Sequence, residues 1–125
     1  MAPPSPLPRL TDIVEAIELI GSEMAGISLQ AFEHDRRKRW LVERGLEIVS
    51  EASRHPPGDL RARYPAIPWP KVASIGNVLR HDYARVAHDI LWHVVREDLP
   101  ALERACRAEL VGEAGRQHPP AAPPG

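Results

Sequence analysis

Cysteine is nearly absent from this 125-residue chain. Cys106 stands alone, so no disulfide can form within it, and a reducing compartment suits it. Lysine is scarce too, with Lys38 and Lys71 the two exceptions among 16 basic residues. The others are Arg, whose planar fork favours bidentate phosphate contacts. A net charge of −1 means the chain as a whole is no electrostatic trap for nucleic acid, which leaves room only for a local basic cleft. No apolar run approaches a membrane span, and the opening MAPPSPLPRL lacks the apolar core of a signal peptide. A cytoplasmic protein with no membrane partner is the expectation. Glycine-rich phosphate loops, nucleophile elbows and paired-Cys motifs are also missing. His81, His88 and His93 are separated by seven and five residues, not the three or four that bring two ligands together on a helix. No metal and no cofactor are therefore expected.

What is plentiful is proline, at 14 residues, and its placement divides the chain. Pro3, Pro4, Pro6 and Pro8 lie at one end, and Pro119, Pro120, Pro123 and Pro124 at the other. Residues 1–9 and 111–125 are read as disordered tails around one domain, residues 10–110. Pro56, Pro57, Pro65, Pro68 and Pro70 mark an irregular central stretch, and Pro100 stands apart, to kink or restart a helix. Residues 9–55 and 71–99 carry no proline, as helices require.

Those windows have helical period. Leu10, Ile13, Ile17, Ile20, Met24 and Ile27 recur at alternating steps of three and four, with Asp12 and Glu15 placed to cap the start. A second seam runs through Leu41, Val42, Leu46, Ile48, Val49 and Ala52, with Asp35 as its cap and a turn near Ala31–His34 before it. Cations at Arg36, Arg37, Lys38 and Arg39 crowd its first turn, where the helix dipole disfavours them. Val72, Ile75 and Leu79 share a third face. Val86, Ile90 and Val94 make a fourth, widened by Leu91 and Val95, and Leu99, Leu102, Cys106 and Leu110 a last one. No segment alternates with period two. The pattern predicts an all-α, up-and-down bundle of four to five helices. Phe32, Trp40 and Trp92 are read as core or interface anchors, Trp69 as a plug at the bundle's end, and Cys106 as core. Seams this broad often continue across a subunit boundary, so a homodimer is expected.

Chemistry-bearing residues concentrate in Ser74–Tyr83. Asn77 and His81 lie on one face of an ideal helix, offset by about 40°, whereas Tyr83 lies roughly 200° from His81 and joins them only if the helix ends or distorts. A His whose charge switches near neutral pH can act as general base or acid in phosphodiester cleavage, and a neighbouring Arg or amide can hold the phosphate.

The stretch Leu60–Leu102 resembles the C-terminal half of HepT-like proteins, within the HEPN superfamily of α-helical, mostly ribonucleolytic domains. The resemblance rests on Tyr-Pro-x-Ile-Pro-Trp, Asn-x-x-x-His-x-Tyr and Asp-Leu-Pro, and on His34–Arg37 and Arg44–Ala52 upstream; it spans about residues 10–110. It implies a helical homodimer with its cleft near the subunit interface, acting as a metal-independent RNA-cleaving toxin. It also implies an MNT-type nucleotidyltransferase antitoxin as partner. His81 matches the catalytic His, Asn77 the polar residue and Tyr83 the Tyr that, in such pairs, receives AMP from the antitoxin. Arg80 and Arg85 are substrate-binding candidates.

Three positions depart from that pattern, one of them in the catalytic motif. The family motif places Arg four to six residues before His, but Gly76, Ile75 and Ser74 occupy those positions here. Gly45 also stands where Asn is common and Ser50 where Gly is common. Losing an Arg that offsets phosphate charge costs a few kcal/mol, roughly a hundred- to thousandfold in rate. Two readings follow: a HepT-like RNase toxin, weakened at Gly76, or a catalytically inactive HEPN-type dimer that binds the nucleotidyltransferase. A purely structural helical dimer is the remaining alternative.

Overall fold

A computed structural model describes residues 5–81 and 88–117, without the side chains of residue 81 and residues 113–117. These residues form α1 (Leu7–Met24), α2 (Leu29–Glu33), α3 (Arg36–Ala52), α4 (Gly58–Ala62), α5 (Trp69–His81), α6 (His88–His93) and α7 (Leu99–Gln117), with one π-helical turn, Val94–Asp98, joining the last two. There is no strand among the described residues. The long elements are α1, α3, α5 and the continuous run through α6 and α7, which make the all-α bundle expected from the sequence; α2 and α4 are single-turn additions in the connections.

The first seam is buried as its spacing predicts: Leu10, Ile13, Ile17, Ile20 and Met24 all lie in the core. Its start differs. The helix begins at Leu7, ahead of Asp12, and Ser5 Oγ accepts from the Leu7 N–H at 3.2 Å. Pro8 falls in the first turn, where its missing N–H costs nothing and its fixed φ already suits a helix. Helix therefore reaches into the N-terminal proline cluster and, at the other end, through Gln117. At the turn after α1, Gly26 takes φ of 73°, open to glycine at no steric cost.

The predicted cap of α3 is in place, with Asp35 Oδ1 accepting from the Lys38 N–H at 3.0 Å. That carboxylate also answers the basic first turn. Lys38 Nζ reaches Glu23 Oε2 at 3.2 Å, and Arg36 lies over the Trp40 ring. Trp40 is 55% exposed, so within this chain it is not a core anchor; Phe32 and Trp92, with ring centroids 5.9 Å apart, are packed against the core. Helices α1 and α3 approach closely because Gly45 has no side chain: a Cβ there would meet Ile20 Cδ1 at 2.6 Å and Cγ1 at 2.8 Å. A larger residue at this position would require the Ile20 side chain to move.

The π turn explains Pro100. A proline ring clashes with the carbonyl four residues back in an ordinary helix. Here the Leu99 N–H instead bonds to the Val94 carbonyl, five residues back, and the wider turn relieves that conflict. Within α6 the buried residue is Leu91, and Ile90, expected in the apolar stripe, is 54% exposed. Val94 is buried again in the turn that follows, and Asp98 pairs with Lys71 of α5 at 2.8 Å.

Candidate functional site

Helix α5 carries the sequence-predicted site, and its two ends are built differently. Its N-terminal end is set by Tyr64-Pro-Ala-Ile-Pro-Trp69. Ile67 and Trp69 are buried, and the indole N–H donates to the carbonyls of Arg61 at 3.1 Å and Tyr64 at 3.2 Å. Trp69 is thus the expected plug at the bundle's end. Beside it, the buried Glu109 carboxylate of α7 accepts from both Arg63 nitrogens, at 3.0 and 2.9 Å, and from the Tyr64 hydroxyl at 2.9 Å. The hydrogen bond that Arg63 donates to Glu109 raises the Arg63 pKa, and burial, then Glu109, raises that of Tyr64. Cys106 is buried one turn earlier on α7, and burial pushes its thiol up to about 12. It is core, as read from its stripe, and holds its proton too tightly to serve as a nucleophile.

Midway along, α5 is pressed against α3. Ser50 Oγ, 1% exposed, accepts from the Gly76 N–H at 2.9 Å and donates to the Ala73 carbonyl at 2.7 Å. Arg54 donates to the same carbonyl at 2.8 Å. A Cβ on residue 76 would lie 2.9 Å from Ser50 Oγ and 3.2 Å from Ser50 Cβ. Two of the positions that depart from the family pattern therefore touch, and each depends on the other.

Towards its C-terminal end α5 becomes exposed. Asn77 and Arg80 are both on the surface, and Arg80 donates to Asn77 Oδ1 at 3.3 Å. Residue 81 closes the helix, and helical spacing puts it on the opposite side of Asn77 from Arg80, offset by about 40° against about 60°. Asn77, Arg80 and residue 81 are thus brought to one sector of the helix end. The His81 side chain, Tyr83 and Arg85 lie outside the described residues. Beside this end, a cleft of about 410 Å³ opens between α1, α3 and α5, and Arg9, Asp12, Arg44, Glu47, Glu51 and Arg80 are among its lining. Sequence reasoning singled out Arg80 but not Arg9 or Arg44. Nothing local marks the latter two, because they come together only through the crossing of α1 and α3. No group of three or more His, Cys, Asp or Glu residues placed to hold a metal occurs among the described residues. Nor is any helix among them long and apolar enough to cross a membrane.

Comparison with known proteins agrees with the motifs. The family model described as "Ribonuclease HepT-like" matches residues 13–109. A "Probable ribonuclease HepT" of Thermococcus cleftensis is 40% identical over 94 residues, covering 75% of this chain and 86% of that protein. A "Putative RNase MJ1380" of Methanocaldococcus jannaschii is 33% identical over 95 residues, covering 76% and 87%. No solved structure matches the chain.

Proposed function

From the premise that the chain belongs to the HepT-like ribonuclease family, we propose that it is a metal-independent RNA endonuclease and the toxin of a toxin–antitoxin pair. What supports this reading is the C-terminal end of α5, where Arg80 holds Asn77 and lines a charged cleft, in the turn that ends at residue 81. His81 takes the proton of a ribose 2′-hydroxyl, whose oxygen attacks the adjacent phosphorus. The 5′-oxygen leaves and takes up a proton, so the products are a 2′,3′-cyclic phosphate and a 5′-hydroxyl. Asn77 orients the phosphate, and the guanidinium beside it offsets the charge that builds on the non-bridging oxygens. Tyr83 assists and is the residue to which an MNT-type nucleotidyltransferase antitoxin transfers AMP.

The active species is a cytoplasmic homodimer. Val78 and Ile90, 47% and 54% exposed, border an apolar recess between α5 and α6, which supports a second copy on that face. A second reading is favoured by Gly76 standing where the family motif has Arg, with Ser50 packed against it. It is a catalytically inactive HEPN-type dimer that acts as a binding partner of the nucleotidyltransferase.

The test is cleavage of end-labelled RNA in the presence of a chelator, with a 2′-O-methyl RNA of the same sequence alongside. Cleavage of the first alone, leaving cyclic phosphate ends, is the expected result. No cleavage of either, or equal cleavage of both, overturns the nuclease reading. Co-expression with the neighbouring gene product, followed by mass spectrometry, reads Tyr83: a gain of AMP is expected, and an unmodified Tyr83 beside an active partner contradicts the regulatory role.

A further inference from the structure

We infer that Arg80 is the phosphate-binding cation of the α5 cleft, and that Gly76 makes room for it. This rests on the ribonuclease reading and deepens it, by saying why the cation stands at position 80 rather than at the motif position.

The geometry is specific. A helical side chain leans toward the N-terminus of its own helix, so a long residue at position 80 lies over position 76, one turn back. Here the Arg80 guanidinium does so. One terminal nitrogen lies 3.4 Å from where a Cβ on residue 76 would sit, and the other donates to Asn77 Oδ1 at 3.3 Å. The guanidinium thus covers the turn that Gly76 leaves bare. A Cβ at position 76 would only touch this nitrogen, but a longer side chain would compete with it for this space while pressing on Ser50 on its other flank. The cation that the family motif supplies from one turn is supplied here from the next, reaching backward.

Charge supports the assignment. Arg44 pairs with Glu47 at 3.3 Å, so part of its charge is already answered. Among the described residues Arg80 instead makes no ion pair and donates to the neutral amide of Asn77, with further N–H groups to offer a phosphate. Arg9 lines the same cleft, while Asp12, Glu47 and Glu51 keep it near neutral overall. A single-stranded RNA backbone, with evenly spaced phosphates and exposed 2′-hydroxyls, is the ligand class this arrangement takes.

The experiment measures both binding and cleavage of a labelled single-stranded RNA by the full chain, with Arg80→Ala compared with Arg104→Ala, an exposed arginine on α7 that removes the same charge elsewhere. Arg80→Ala is expected to weaken binding by about tenfold and to lower the salt slope by about 0.7. Its cleavage should fall by roughly a hundred- to thousandfold, mainly in kcat. Arg104→Ala should match the wild type. Moving the cation back provides a rescue. Gly76→Arg with Arg80→Ala should stay impaired and melt early because of Ser50, and adding Ser50→Gly should restore the melting temperature and recover at least tenfold in cleavage. If the wild type cleaves RNA and Arg80→Ala cleaves and binds equally well, the assignment of Arg80 is wrong although the ribonuclease reading stands. If the wild type leaves RNA intact, the ribonuclease reading falls, and the binding comparison still decides whether Arg80 holds phosphate.

Discussion

The two ends of α5 carry equally recognisable sequence motifs and do opposite things. At the N-terminal end, Ile67 and Trp69 are buried and Tyr64 half-buried, with the Trp69 indole and Tyr64 hydroxyl both hydrogen-bonded and Glu109 holding Arg63 from a helix far along the chain. At the C-terminal end, Asn77 and Arg80 stand in solvent and hold little beyond each other. Between them, Ser50 ties the helix backbone to α3. One end is therefore an anchor and the other a presenting surface. A recognisable motif can owe its form to packing, and here Tyr-Pro-x-Ile-Pro-Trp does, whereas Asn77 and Arg80 further along are exposed.

Substitutions at the anchored end should cost stability, and those at the presenting end should cost cleavage. The largest expected loss is from Trp69→Ala, about 3–5 kcal/mol in a denaturant titration, because a buried indole and its hydrogen bonds go together. A Trp69→Ala protein as stable as the wild type would show that the corner anchors nothing. Glu109→Ala should follow at about 1–3 kcal/mol, since the Tyr64 hydroxyl loses its buried acceptor. Asn77→Ala reverses the pattern. Stability should move by less than about 0.5 kcal/mol, while cleavage drops about tenfold for one lost hydrogen bond to the phosphate.

The smallest effect is alkaline. Burial raises the Cys106 thiol from 9.0 to about 12 and lifts the Tyr64 phenol above 10.0. The folded chain holds these protons more tightly than the unfolded one, so this stability is complete below pH 9 and lost as pH rises toward about 12. Thermal melts should show Tm falling over that range, and a Cys106→Ala variant should show a shallower fall. An equal slope in both would place the sensitivity elsewhere.

Much of the architecture was legible because helices advertise a period. Leu10, Ile13, Ile17, Ile20, Leu46, Val49, Val72 and Leu79 are buried where their spacing puts them. The N-terminal boundary was not, since proline reads as a breaker although it is tolerated in a first turn. In the stripe around Ile90, Leu91 and Val94 are buried as expected while Ile90 itself is exposed, and the π turn that follows is something no regular period anticipates. Asn77, Arg80 and His81 could be grouped from local spacing alone. The Glu109 clasp on Arg63 and Tyr64, and the Ser50 contact with Gly76, could not, because each joins residues far apart in the chain and neither residue type signals its partner. Gly76 looked like a simple loss in the sequence. The fold adds that its missing side chain is what Ser50 packs against and what Arg80 covers.

The most direct measurement is cleavage of a labelled RNA by the wild type and by His81→Ala, each checked for an unchanged melting temperature. The account predicts a roughly 10²- to 10⁴-fold loss in the variant with no change in Tm. Equal cleavage by the two proteins would contradict it.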